Sequence, residues 1–232
     1  MLEIRNIHTY YGDSYILQGL SLNVDAGKIV AVLGRNGVGK TTLIRSIIGF
    51  TPPRTGSVKL EGRELIGMSP DRIARLGVGL VPQGRRIFGS LTVRENLNVG
   101  ERPSASKHTW GLSDVLRLFP RLNERLQFSG KSLSGGEQQM LACSRALVGN
   151  PRVMLMDEPT EGLSPLFVRE LGKLIQELRS TGTTVLLIEQ NLGFALRIAD
   201  YVYVMNKGQI VHQSTPDELA ANDDIKSRYL GM

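Results

Sequence analysis

Residues Ile29-Val30-Ala31-Val32-Leu33-Gly34-Arg35-Asn36-Gly37-Val38-Gly39-Lys40-Thr41-Thr42 decide the fold. The first five form a continuous apolar run after the turn Asp25-Ala26-Gly27, the pattern of a strand buried on both faces. A glycine-rich loop follows. Apolar residues then fall at helical spacing (Leu43, Ile44, Ile47, Ile48) until Gly49 and Pro52-Pro53 stop them. Strand, glycine loop and a helix entered through Gly-Lys-Thr make the context in which a loop binds phosphate. Glycines let the backbone curl so that N–H groups face anionic oxygens, and the helix start adds partial positive charge. Lys40 supplies a cation near the β- and γ-phosphates, and the Thr41 hydroxyl can ligate Mg²⁺. Gly34, Arg35, Asn36, Gly37, Val38, Gly39, Lys40, Thr41 and Thr42 are therefore expected to hold ATP. The bland alternative is a glycine-rich turn without ligand, and the flanking strand and helix weigh against it.

Upstream, Leu2 to Ile7 and Ile16 to Val24 alternate apolar and polar residues, as half-buried strands do. Downstream, about Gly84 to Asn150 reads as more helical. Two further buried-strand runs follow, Val153 to Met156 and Thr184 to Ile188. Between them Phe167, Leu171, Leu174, Ile175 and Leu178 mark a helix. Strand, helix, strand repeated in this way predicts a parallel sheet. The expected fold is α/β: one domain over 1–232 with a mainly parallel core sheet, an N-terminal antiparallel β portion and an inserted helical subdomain at about 84–150. Thr215-Pro216-Asp217-Glu218 combines a capping box with proline at the first helical position. Glu101 to Gly111 reads only as a loop or weak helix.

The composition is that of an ordinary globular chain of 232 residues, with 41% hydrophobic and 22% charged residues. The net charge of +6 permits an anionic partner. No dense Lys/Arg run marks a nucleic-acid arm, and no nucleic-acid partner is expected. Cys143 is the single cysteine, which excludes an intrachain disulfide and suits the cytosol; its apolar neighbours predict burial. The three histidines are scattered without metal-ligand spacing. Leu2 leads directly into a strand pattern, so no signal peptide is expected, and no run approaches the ~18 apolar residues of a membrane span.

The run Val153 to Met156 ends in Asp157-Glu158-Pro159-Thr160. Carboxylates at the C-terminal end of a buried parallel strand face the place where open α/β sheets bind ligands. Asp157 is suited to hold Mg²⁺, and Glu158 to polarise an attacking water as general base. Between this pair and the glycine loop lies Leu133-Ser134-Gly135-Gly136-Glu137-Gln138-Gln139. Ser134 with Glu137 is a capping box, so a helix starts here with Gly135 and Gly136 at an exposed end, a second anion site.

That second motif resembles the signature sequence of ABC ATPases. The resemblance extends from Leu2 to Leu230. It implies a head-to-tail dimer in which Ser134, Gly135, Gly136 and Glu137 of one subunit cover the γ-phosphate held by the other. It implies that Tyr11 stacks on adenine and that Gln83 reaches Mg²⁺ and the attacking water. It also implies that Gln83 starts the helical subdomain that touches a permease. The candidate contact surface runs from Gln83 through Arg85, Arg86, Ile87, Phe88, Leu91 and Thr92, its apolar residues flanked by Gly84, Gly89 and Arg94; the bland alternative puts Phe88 and Leu91 in the subdomain core. Two positions depart from the general family pattern. Gln190, in Glu189-Gln190-Asn191, stands where most members carry a histidine that contacts the γ-phosphate. Glu161-Gly162-Leu163-Ser164-Pro165 lacks the aspartate common in that loop. Both departures resemble the ATPases of bacterial importers for branched-chain amino acids, urea and short amides, as does Pro82-Gln83-Gly84-Arg85-Arg86-Ile87-Phe88. The implied protein is peripheral on the cytoplasmic face of the bacterial inner membrane. Its implied partners are a second ATPase subunit, two permeases and, indirectly, a periplasmic solute-binding protein. A soluble ABC protein acting on ribosomes or DNA is the first rival. It would usually carry two ATPase units or a long coiled-coil insertion, and here there is one set of motifs and no sustained heptad run. A non-hydrolysing ATP switch is the second, and intact Glu158 argues against it.

Overall fold

The computed structural model describes residues 1–102 and 109–231, so most of the unread segment Glu101 to Gly111 lies outside the described residues. The chain opens with β1 (Leu2–Tyr11) and β2 (Ser14–Val24), paired antiparallel. Both are longer than their alternation predicts. Ile4 lies opposite Leu22 and Ile7 opposite Leu20, so β1 carries one extra residue there. Asn6 takes it up with φ 46°, a bulge that returns Ile7 to the buried face.

The predicted buried strand is β3 (Ile29–Leu33), and α1 (Lys40–Ile47) is the helix behind the glycine loop. The chain continues through β4 (Thr55–Leu60), β5 (Arg63–Glu64), α2 (Pro70–Arg75) and β6 (Val78–Val81). Four helices follow: α3 (Val93–Gly100), α4 (Leu112–Leu118), α5 (Pro120–Glu124) and α6 (Gly135–Leu147). The last part is β7 (Val153–Asp157), α7 (Pro165–Ser180), β8 (Thr184–Glu189), α8 (Leu192–Ile198), β9 (Tyr201–Asn206), β10 (Gln209–Ser214) and α9 (Pro216–Ala220).

These strands make two sheets. One is antiparallel, ordered β2-β1-β4-β5; the other has six strands, ordered β10-β9-β3-β8-β7-β6, and is parallel apart from the β9–β10 hairpin. The core sheet is covered on both faces. Ile29, Ala31 and Leu33 join a cluster with residues of α6, α7 and α8. Val30 and Val32 join another with α1 and the antiparallel sheet. Continuous apolar runs, not alternating ones, satisfy both faces, and each buried Leu or Ile contributes about 1.5–3 kcal/mol. Cys143 lies wholly in the first cluster, where burial pushes its thiol up to about 12.

Strand register positions the site. Leu33 pairs with Glu189, and Ile188 pairs with Asp157. The C-terminal ends of β3, β8 and β7 thus stand level, and the segments leaving them share one edge of the sheet.

Candidate active site

The loop from Gly34 to Gly39 leaves β3 at that edge. Gly39 has φ 109°, which a residue with a Cβ adopts only under strain, and from there the chain turns directly into α1. A Cβ on Gly34 would stand 2.6 Å from the Met205 carbonyl oxygen of β9. Arg35, Asn36 and Gly37 are exposed, whereas Lys40 and Thr42 are buried. The Lys40 ammonium donates to the carbonyls of Gly34 (2.8 Å) and Arg35 (3.0 Å) and pairs with Glu158 Oε1 at 3.0 Å. All three of its donors are therefore engaged.

The acidic pair arrives from β7. Asp157 ends the strand and accepts from the Thr41 hydroxyl at 3.3 Å. Burial pushes its carboxyl up to about 6. Glu158 follows with φ 47°, its amide bonded to the Ile188 carbonyl at 2.9 Å, so the backbone turns sharply and aims the side chain at Lys40. Gln83, two residues beyond β6, donates to Glu161 Oε2 at 3.0 Å and lies 3.5 Å from Glu158 Oε2. Lys40, Thr41, Gln83, Asp157 and Glu158 are thus brought together. Thr41 and Asp157 offer hard oxygen donors side by side. That set fits Mg²⁺, which takes one or two protein ligands and completes its shell with water and phosphate.

Gln190 is exposed at the end of β8, beside Glu158 and Glu161 around a small cleft. Asn191 caps α8 by accepting from the Phe194 amide at 3.0 Å. Tyr11 ends β1 with an exposed ring. Tyr10 gives its faces to Tyr15 and Arg54, whereas the Tyr11 ring centre lies 5.8 Å from the Arg45 guanidinium.

The capping box of α6 is present. The Ser134 amide donates to Glu137 Oε2 at 2.8 Å, and Glu137 Oε1 pairs with Arg125 at 3.1 Å. The expected exposure of the two glycines is corrected. Both are half-buried, because the Arg85 guanidinium lies against Gly135 and the Phe167 ring against Gly136. Among the described residues, no hydrogen bond or ion pair joins Ser134 to Glu137 with Lys40, Asp157 or Glu158. The start of α6 and the start of α1 thus share no such contact within one chain.

Sequence reasoning gives three residues no role in this site, and it places Arg85 only on the permease-contacting surface. Arg85 lies on Gly135, and Glu161 receives the Gln83 amide. Glu189 is 2% exposed and accepts from the amides of Thr160, Gln190 and Asn191. Burial holds its carboxyl above the usual range despite those donors. A signal for it existed: an acid that continues an apolar run is a buried charge, and a buried charge needs partners.

The family model described as ABC transporter matches residues 17–161, more than half of the chain. The chain belongs to the ABC transporter family. It is 41% identical over 232 residues to the high-affinity branched-chain amino acid transport ATP-binding protein BraG of Pseudomonas aeruginosa, covering 100% of both. It is 34% identical over 234 residues to the probable branched-chain amino acid transport ATP-binding protein LivF of Archaeoglobus fulgidus, covering 100% of this chain and 99% of that protein. A crystal structure of a nucleotide-free ATP-binding cassette from an ABC transporter superposes with a TM-score of 0.85 at 28% identity, over 97% of this chain and 96% of that one. The chain is accordingly an ABC ATPase, a nucleotide-binding and ATP-hydrolysing transporter subunit. Such a subunit pairs with another ATPase and works with a membrane permease. Among the described residues no helix is long and apolar enough to cross a membrane.

Proposed function

We propose that this chain hydrolyses ATP to energise import of branched-chain amino acids, working as a peripheral subunit on the cytoplasmic face of a bacterial inner membrane. The observation that carries the reading is the convergence of Lys40, Thr41, Gln83, Asp157 and Glu158 at the level ends of β3, β7 and the neighbouring strand β6. In this reading residues Gly34 to Thr42 cradle the phosphates and Tyr11 stacks on adenine. Thr41, Asp157 and Gln83 would hold Mg²⁺, which would neutralise phosphate charge. Glu158 orients and deprotonates the attacking water. Ser134, Gly135, Gly136 and Glu137 cover the γ-phosphate of a second ATPase subunit, identical or related. Residues 84–150 form the helical subdomain that faces two permeases, which receive solute from a periplasmic binding protein.

The solute assignment rests on two supports: what BraG and LivF are named for, and the motifs Glu189-Gln190-Asn191 and Pro82-Gln83-Gly84-Arg85-Arg86-Ile87-Phe88. Urea or a short amide is the alternative. Reconstitution with its permeases and their binding protein decides between them. Turnover stimulated by leucine and not by urea is expected, and the reverse would overturn the solute.

Gln190 lies where most of the family has histidine, and a neutral amide donates a hydrogen bond without bringing charge. Gln190→Ala is expected to lower turnover in the assembled transporter with little change in ATP affinity, and Gln190→His to keep substantial activity. Steady-state hydrolysis and nucleotide calorimetry check both. Normal turnover by Gln190→Ala would make the side chain a bystander.

The permease surface is read at Phe88. Phe88 is 46% exposed, which argues against a core role, and it is held from behind. Asn96 bonds the Phe88 amide and carbonyl, both at 2.9 Å, and the Arg145 guanidinium lies 4.8 Å from the ring centre. Ile87 packs partly on the core, and Phe128 stands exposed nearby in sequence to the strand-like segment paired with Leu91 and Val93. Phe88→Asp should leave the subunit folded and able to bind ATP. It should also release the subunit from membranes that carry its permeases and stop uptake. A folded variant that still co-purifies with the permeases and supports uptake would move the coupling surface elsewhere.

A further inference from the structure

Glu189 is a charge placed almost wholly inside the protein, at the C-terminal end of the central strand β8. Its two oxygens face two different loops. Oε1 accepts from the Thr160 amide at 3.1 Å. Oε2 accepts from the Gln190 and Asn191 amides at 3.0 and 3.1 Å. Thr160 belongs to the segment that also holds Glu158 and Glu161, and Gln190 leaves the neighbouring strand end. Two of these amides belong to the residues that follow Glu189 itself, so its own turn is held tight. The third comes from a segment 29 residues earlier in the chain. Another bond runs between the same two segments, from the Glu158 amide to the Ile188 carbonyl at 2.9 Å. That bond fixes the backbone at the strand level. Glu189 fixes the loops one step beyond it, where Gln190 and Glu158 face the same cleft.

We infer that Glu189 is a positioning residue for ATP hydrolysis: its buried carboxylate ties the Gln190 loop to the Thr160 segment and so sets Gln190 against Glu158. The inference rests on the proposed role of Gln190 at the γ-phosphate. Glu189 touches neither substrate nor attacking water; it acts through the two loops. A charge is the suitable clamp because a carboxylate only accepts, and the groups facing it, three backbone N–H and the Thr160 hydroxyl, can all donate. Glutamine at this position keeps the length but presents an NH₂ to one of those donors. With its carbonyl on the Gln190 and Asn191 amides, the NH₂ opposes the Thr160 amide and leaves only the Thr160 hydroxyl to carry the link, so the tie between the loops is weakened while the Gln190 turn survives. Aspartate keeps the charge, and with it the fold, but is one methylene too short to span both loops.

The test is hydrolysis by the subunit assembled with its permeases, for Glu189→Gln, Glu189→Asp, Gln190→Ala and the double variant Glu189→Gln/Gln190→Ala. Misplacement of a reacting group by about 1 Å can cost up to ~10²-fold, so kcat should fall ~10–10²-fold in Glu189→Gln and Glu189→Asp with the KM for ATP near wild type. The double variant should be no slower than the slower single one, because both changes remove the same contact. A merely structural role predicts multiplying losses, and that result overturns the inference. Wild-type kcat in Glu189→Asp also overturns it, even where Glu189→Gln unfolds. Normal turnover in Gln190→Ala with slow turnover in Glu189→Gln instead sinks the reading of Gln190, and with it the claim that Glu189 acts through that side chain.

Discussion

Lys40→Ala is expected to abolish ATP hydrolysis and to weaken ATP binding by roughly 10–10²-fold, the worth of one charge-assisted contact of ~1.5–3 kcal/mol. The ammonium is the only cation buried in the loop among the described residues, and its three donors are held on Gly34, Arg35 and Glu158. Two of those partners are backbone carbonyls that keep the ammonium over the loop. The third is an acid that a phosphate can replace. Nucleotide binding thus exchanges one anionic partner of Lys40 for another, and the same exchange frees Glu158 to face the attacking water. Alanine removes the phosphate contact and also leaves Glu158, whose side chain is 10% exposed, without its cation beside Asp157. Breaking a buried pair from one side typically costs about 3–5 kcal/mol, so a lower melting temperature should accompany the lost affinity. Calorimetry with ATP checks the first effect. Unchanged affinity would overturn the placement of this lysine.

Much of this site was legible because its chemistry is local in sequence. Gly34 to Thr42 lie between an apolar run and a helical pattern, and Asp157-Glu158 close another apolar run. A strand buried on both faces has only its end free for polar work, so the position of both motifs followed from the hydrophobic pattern. The N-terminal β portion was legible from a different pattern, the apolar–polar alternation of half-buried strands. The bulge at Asn6 was not, because a shift of one residue shows only when the partner strand is in place. Strand order was also hidden: β3 lies between β8 and β9, strands more than 150 residues later in the chain. What depended on that order stayed hidden with it. Glu189 reaches Thr160 and Arg85 reaches Gly135 only once the sheet has assembled. Phe88 could be assigned to core or surface only from its burial, since an apolar residue in an irregular segment has no periodicity to choose its side.

Glu158→Gln should slow turnover by ~10²–10⁴-fold, the usual contribution of a general base, while ATP binding survives. The substitution keeps the shape of the side chain and removes its charge. Lys40 then loses its ion-pair partner at 3.0 Å, and that carboxylate no longer competes with an incoming phosphate for the ammonium. Affinity for ATP should therefore hold or rise, the opposite of the Lys40→Ala result, although both changes break the same pair. The signature residues of α6 make no polar contact with Lys40, Asp157 or Glu158 of their own chain, and in the proposed mechanism they cover the phosphate bound by a second subunit. ATP that is bound and not hydrolysed should then hold two subunits together. Size exclusion in the presence of ATP and Mg²⁺ should show Glu158→Gln as a dimer and the wild type returning to monomer as it turns over. Retention of wild-type turnover would remove Glu158 from the chemistry. Slow turnover without any ATP-dependent dimer would keep its role as base and refute the head-to-tail arrangement, because the same bound nucleotide would then lack its second face.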